Sequence, residues 1–153
     1  MDRNTSIDLL GKTGEKIIAN MLNSQGLKVE YSIDNYDREK DFLVEGKKIE
    51  VKTEQPYVKK NAISIRETQL KKCKTVDILY FVSVPPLINK NYKWGGWIFC
   101  VDPKTFVYNK YTTKFGINMI EIPIEQPAVN PVKKLSNVEI DELLKYAMSA
   151  YAR

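Results

Sequence analysis

Histidine is absent from the 153 residues. That absence removes Ser-His-Asp and Cys-His catalysis, a histidine general base and histidine-ligated zinc together. Cysteine is scarce, with only Cys73 and Cys100 in the chain, and their separation excludes a CxxC metal or redox motif. Both are read as reduced thiols, which points to an intracellular, cytoplasmic protein. No apolar run approaches the ~18 residues of a membrane span, so no membrane partner is expected. Residues 1–16 (MDRNTSIDLLGKTGEK) lack the uninterrupted apolar stretch of a secretory leader. There is no repeat, low-complexity tract or linker.

Enough apolar material remains for a core. Hydrophobic residues make up 43% and charged residues 28%, which excludes wholesale disorder. The length suits one domain, read over residues 1–153. The net charge of +5 is unevenly spread. Residues 38–74 hold eleven basic and six acidic side chains, whereas residues 1–37 hold four and six. A local basic field favours a polyanion such as nucleic acid. A lysine-rich solubilising surface is the other reading of the same charge.

Periodicity places the elements. Residues 7–23 carry Leu10, Gly14, Ile17, Ile18, Met21 and Leu22 at helical spacing, with Gly26 as the stop. Residues 27–33, 41–45, 48–54 and 62–66 read as strands, and ETQLKKCK as a short helix. Residues 76–84 (VDILYFVSV) form a near-continuous apolar run, the mark of a central strand. Beyond Pro85-Pro86, WIFCV and INMIEI are strand-like, and a helical turn is expected near Pro103. Residues 123–134, with three prolines, are extended. Ser136 and Glu139 form a capping box for a last helix. Its apolar face is read as Leu143, Leu144, Ala147, Met148 and Tyr151.

The chemistry concentrates in residues 41–52, DFLVEGKKIEVK. A two-residue turn at Gly46-Lys47 pairs Leu43 with Glu50 and Asp41 with Lys52. Side chains alternate along a strand, and paired residues point to the same side. Asp41, Glu50 and Lys52 therefore share one face, while Phe42, Val44, Ile49 and Val51 pack inward. Two converging carboxylates repel unless a cation lies between them, and their oxygens suit magnesium or manganese. A lysine beside such an ion orients water and stabilises charge on a phosphate oxygen. A solvated sheet face with weak cross-strand ion pairs is the ordinary alternative.

Asp41…Glu50-Val51-Lys52, following a helix with Gly14-Glu15 and a strand, resembles the D-(x)n-E-x-K motif of the PD-(D/E)xK nuclease superfamily, in particular its Holliday-junction-resolvase-like and restriction-endonuclease-like members. The likeness covers about residues 7–84. Lys40 stands where the family name has proline. The fold class implied is α/β: a restriction-endonuclease-like core in α-β-β-β-α-β order with a mixed central sheet, plus a C-terminal α/β extension over about 85–153.

The resemblance implies that Asp41 and Glu50 hold Mg2+ (Mn2+ substituting), helped by the Val51 carbonyl and by Glu15, and that Lys52 is the catalytic lysine. Glu15 has the alternative role of bordering the core. Gln69 falls where relatives carry an active-site glutamine, and is otherwise a solvent-facing helix residue. Arg66, Lys71, Lys72 and Lys74 are candidates for phosphate contact, or else are only helix surface. Lys93 and Trp94, beside Trp97 and Gly95-Gly96, suit base stacking in a loop, or else the tryptophans anchor that loop to the core. Tyr108, Lys110, Tyr111 and Lys114 form a weaker cluster of the same type. Gly11-Lys12-Thr13 is not a P-loop, because Ser6 stands where its first glycine is required.

The expected activity is a metal-dependent endonuclease acting on nucleic acid, DNA in the first place, with water attacking in line to leave 5′-phosphate and 3′-hydroxyl ends. Relatives that cut both strands act as homodimers, although no dimer face is visible in the sequence. A catalytically inactive nucleic-acid-binding protein, or a regulatory interaction protein on the same fold, is the alternative.

Overall fold

The computed structural model describes residues 2–31 and 42–151. The chain opens with helix α1 (Arg3–Ser24) and strands β1 (Val29–Tyr31), β2 (Phe42–Val44) and β3 (Lys47–Glu54). Then come β4 (Ala62–Arg66), a 3-10 turn (Glu67–Gln69), helix α2 (Leu70–Thr75) and β5 (Ile78–Ser83). The second half supplies β6 (Trp97–Val101), β7 (Asn109–Thr112), β8 (Asn118–Pro123), β9 (Val129–Lys134) and helix α3 (Asn137–Ala150).

Helix α1 starts four residues earlier than periodicity suggests, because the Asp2 side chain caps it by accepting from the Thr5 N–H at 2.8 Å. Every apolar position expected to face inward, from Leu10 to Leu22, is buried. Helix α3 has the expected capping box at Ser136 and Glu139. Its buried face is Leu143, Ala147 and Ala150, with Leu144 and Tyr151 packed beside them. Met148 was expected on that face but is exposed. Ala150, at i+3 from Ala147 and i+7 from Leu143, continues the inward stripe in its place.

Six strands form a mixed sheet in the order β1-β2-β3-β5-β6-β9. β1, β2 and β3 run antiparallel, and β5 lies parallel to β3. A parallel neighbour requires a crossover, and here the crossover is β4, the 3-10 turn and α2. On one face of the sheet, α1 and α3 pack against Phe42, Val44, Ile49, Val51, Tyr80, Val82 and Ile98. On the other, Leu79, Phe81, Phe99 and Val101 meet Cys73 of α2 and the Ile63, Ile65, Ile120 and Ile122 row of a second sheet, β4-β8-β7. The two halves of the sequence are thus joined through one sheet. No helix among the described residues is long and apolar enough to cross a membrane.

The β2–β3 hairpin corrects the expected turn. The loop is Glu45-Gly46, with φ of 51° and 78°, and the pairs are Phe42–Ile49, Leu43–Lys48 and Val44–Lys47. Two successive positive φ values are what a two-residue hairpin turn needs, so glycine takes its second position rather than its first. The register shifts by two residues relative to the expected pairing of Leu43 with Glu50. A shift of two leaves each side chain on its original face. Residues 103–105 form a turn, and β9 occupies the latter part of the proline-containing extended segment.

Candidate active site

The even-numbered residues of β3 face the α2 side of the sheet. Glu50, Lys52 and Glu54 lie beside Leu79, Phe81 and Ser83 of β5, one pair after another. Glu50 is 1% exposed, an unusual place for a carboxylate. Its compensation comes from α2 and from β3 itself. Lys72 Nζ stands 2.7 Å from Glu50 Oε2, and Lys52 Nζ stands 3.9 Å from Oε1. Lys52 in turn donates to Gln69 Oε1 at 2.6 Å.

This convergence has a local cause. Gln69, Lys72 and Cys73 are spaced i, i+3, i+4, so one helical face presents all three. Cys73 is fully buried and, with Leu70, fastens α2 to the core between the sheets. That anchor turns Gln69 and Lys72 toward β3. The structure therefore brings together three of the expected site residues, Glu50, Lys52 and Gln69. It adds Lys72, which sequence reasoning had assigned to phosphate contact. The i, i+3 spacing from Gln69 was the available signal.

Glu54 was not singled out, although the period-two rule that pairs Glu50 with Lys52 also puts Glu54 on their face. Burial pushes its carboxyl up to about 7, against a smaller downward pull from the Lys52 ammonium. Just beyond it, the Gln55 N–H donates to the Tyr151 hydroxyl at 2.9 Å, fixing the end of β3 to the end of α3. Burial, helped by the Glu54 charge, raises the Tyr151 phenol. Gly14 of α1 lies so close to Thr53 that a Cβ there would sit 1.7 Å from Thr53 Oγ1.

The remaining expected residues are dispersed. Asp41 lies outside the described residues. Val51 directs its side chain into the α1–α3 core, so only its backbone is available to the site. Glu15 is half-buried on α1, next to the Gly14 contact with β3. Lys71 and Arg66 are partly or fully solvent-facing, Arg66 at the end of β4.

Lys74 donates to the Phe106 carbonyl at 2.7 Å and lies 3.5 Å over the Phe106 ring, which ties α2 to the β6–β7 connection. Desolvation lowers its pKa. Lys93 reaches Glu125 at 3.5 Å. Trp94 donates from Nε1 to the same carboxylate at 2.9 Å, and its ring packs on Trp97 and Phe99. Those contacts anchor the loop, the alternative role considered for the tryptophans.

Among the described residues, no three Asp, Glu, Cys or His side chains converge as a metal cage. The arrangement is a buried carboxylate faced by two ammonium groups, one of them held by a glutamine. It is suited to binding a cation at Glu50 or an anion at Lys52 and Lys72. Comparison with protein-family models, curated proteins and solved structures gives no match to this chain.

Proposed function

We propose that this chain is a divalent-metal-dependent nuclease that hydrolyses phosphodiester bonds, with DNA as its substrate and internal cleavage as its mode. The observation that carries the reading is the convergence of Glu50, Lys52 and Gln69 at the junction of β3 and α2. The topology supports it: a helix, an antiparallel β1-β2-β3 meander, then a crossover helix to a parallel neighbour is the order of a restriction-endonuclease-like core. The basic excess of residues 38–74, the segment that builds the site, favours a polyanionic substrate.

The donor chemistry fits a hard divalent cation. Glu50 supplies two carboxylate oxygens, the donor type such an ion takes, and a bound ion would stand where the Lys72 and Lys52 ammonium groups now face them. Glu50, the Val51 carbonyl and Asp41 would hold the ion, whereas Glu15 sits on α1 across the sheet from Glu50. When bound, such an ion supplies Lewis acidity and a lowered pKa for water. Lys52, fixed by Gln69, stabilises negative charge on the phosphate oxygens and orients the attacking water. Gln69 spends its carbonyl oxygen on the ammonium and so keeps Nζ pointed at the site. The P–O3′ bond breaks, leaving 5′-phosphate and 3′-hydroxyl ends.

One observation favours a second reading. The Lys72 ammonium lies against Glu50 at 2.7 Å, where a cation would approach. In a catalytically inactive nucleic-acid-binding protein that internal cation would be permanent. Incubation with supercoiled plasmid, a four-way junction, a flap, single-stranded DNA and RNA, in magnesium, manganese or chelator, separates the two. Chelator-sensitive cleavage lost in Glu50→Gln and Lys52→Met supports the nuclease. Binding without cleavage in either metal supports the inactive form.

A further inference from the structure

The β7–β8 hairpin carries an exposed aromatic tip that the core does not use. Phe115 is 80% exposed, and Lys114 Nζ lies 5.2 Å over its ring. The tip is not loose. Thr113 N–H donates to the Ile117 carbonyl at 2.9 Å, and Gly116 N–H to the Thr113 carbonyl at 2.9 Å. The Thr113 hydroxyl accepts from the Ile117 N–H at 3.1 Å, and Gly116 takes a φ of 80° that closes the turn. A turn held this way fixes the backbone that presents the ring, so little backbone freedom remains to be lost on binding.

The hairpin's position connects it to the candidate site. Met119 of β8 pairs with both Arg66 of β4 and Tyr111 of β7, and the last hairpin pair, Thr112–Asn118, lies one step further on. The tip therefore projects past the end of β4 where the chain turns into Glu67–Gln69, the segment carrying the partner of Lys52. Lys110 of β7 bonds to Glu67 at 3.1 Å, bracing the hairpin against that same segment. Exposed Arg66 and Lys114 stand on this end of the sheet and are not used in the hairpin's bracing.

We infer that the β7–β8 hairpin is a substrate arm that engages nucleic acid with unpaired bases, Phe115 stacking on a base while Lys114 and Arg66 contact the flanking phosphates. The inference rests on the nucleic-acid reading above and narrows its substrate class. An aromatic ring standing alone in solvent suits a splayed base, because every base offers a π-face without requiring a sequence. A ring with Lys114 beside it and Arg66 further back at the end of β4 suits the alternation of base and phosphate along one strand. Base pairs within a continuous stack offer such a ring no open face.

The test uses the full chain in chelator, so that binding is read without turnover. Anisotropy is measured with labelled single-stranded and blunt duplex oligonucleotides, and 2-aminopurine in the single strand reports stacking. Phe115→Ala should weaken single-strand binding by roughly five- to 100-fold and abolish the 2-aminopurine change, while Phe115→Trp restores both. Lys114→Ala should lower the salt dependence by about one phosphate contact. The thermal midpoint should not move in any of these, since the tip is exposed. Equal binding by wild type and Phe115→Ala overturns the arm but leaves the nucleic-acid reading standing. An equal loss on blunt duplex overturns the preference for unpaired bases. No binding of any nucleic acid by the wild type overturns both.

Discussion

Lys72 Nζ and Glu50 Oε2 stand 2.7 Å apart at the junction of α2 and β3, with both side chains largely withdrawn from water. Removing Lys72 leaves the buried Glu50 carboxylate with only the more distant Lys52 ammonium, at 3.9 Å. Lys72→Met is expected to cost roughly 3–5 kcal/mol, read as a lower urea midpoint. Glu50→Gln/Lys72→Met, which removes both charges, should recover a large part of that loss. Additive losses in the double variant would show that the two side chains are not coupled.

Lys52 is expected to be indispensable to cleavage and dispensable to folding. Its ammonium is 3.9 Å from Glu50 and is held by Gln69. Lys52→Met should lower single-turnover cleavage by at least about 100-fold in a chain that stays folded, with a lower denaturation midpoint because Gln69 and Glu50 each lose a partner. Gln69→Leu should weaken cleavage less and move its pH profile, because Gln69 acts by holding Lys52. Unaltered cleavage in well-folded Lys52→Met removes the nuclease reading.

Two glycines of α1 give opposite expectations. At Gly14 a Cβ would fall 1.7 Å from Thr53 Oγ1, whereas at Gly11 it would meet nothing within 4 Å. Gly14→Ala should therefore force helix and strand apart at a cost of about 1–3 kcal/mol, partly relieved by Thr53→Gly. Gly11→Ala should be neutral or stabilising by up to about 1 kcal/mol. Thermal denaturation of the two single variants decides the matter, and equal midpoints would show that the Gly14–Thr53 approach is not tight.

Glu54 sets an expected pH dependence. Its carboxyl is raised from 4.5 to about 7 in the folded chain. Between those values the folded protein keeps a proton that the unfolded chain has released, so stability falls as pH rises through the interval. Below it both states are protonated, and above it the loss is complete. The chain has no histidine, which leaves this window free of the side chain that ordinarily titrates there. Urea midpoints between pH 5 and pH 8 should decline in the wild type and stay flatter in Glu54→Gln. Parallel curves would place the proton elsewhere.

The particular residues show where local sequence sufficed. The face shared by Glu50 and Lys52 followed from alternation alone, and it survived a two-residue change of register because parity is insensitive to such a shift. The turn itself was displaced because Glu45 adopts φ of 51°, a conformation that glutamate seldom takes and that propensity does not signal. Lys72 read as surface because α2 is only six residues long, with one buried member, Cys73. So short a helix offers only the i, i+3 spacing of Gln69 and Lys72, too little to mark an inward face. The β4-β8-β7 sheet was illegible for another reason. β7 is exposed along its whole length, and the sheet is completed by β8 pairing with β4, a distant segment that no local pattern signals. Asp41, the other carboxylate of the motif, lies outside the described residues.

The clasp between the Tyr151 hydroxyl and the Gln55 N–H joins the end of β3 to the end of α3, almost a hundred residues downstream. Glu50 and Lys52 leave the ribosome well before that tyrosine does. The strand that bears them is therefore fastened at its far end only once the third helix has been translated and has docked, whereas the α2 side chains around the two residues follow them closely in the chain.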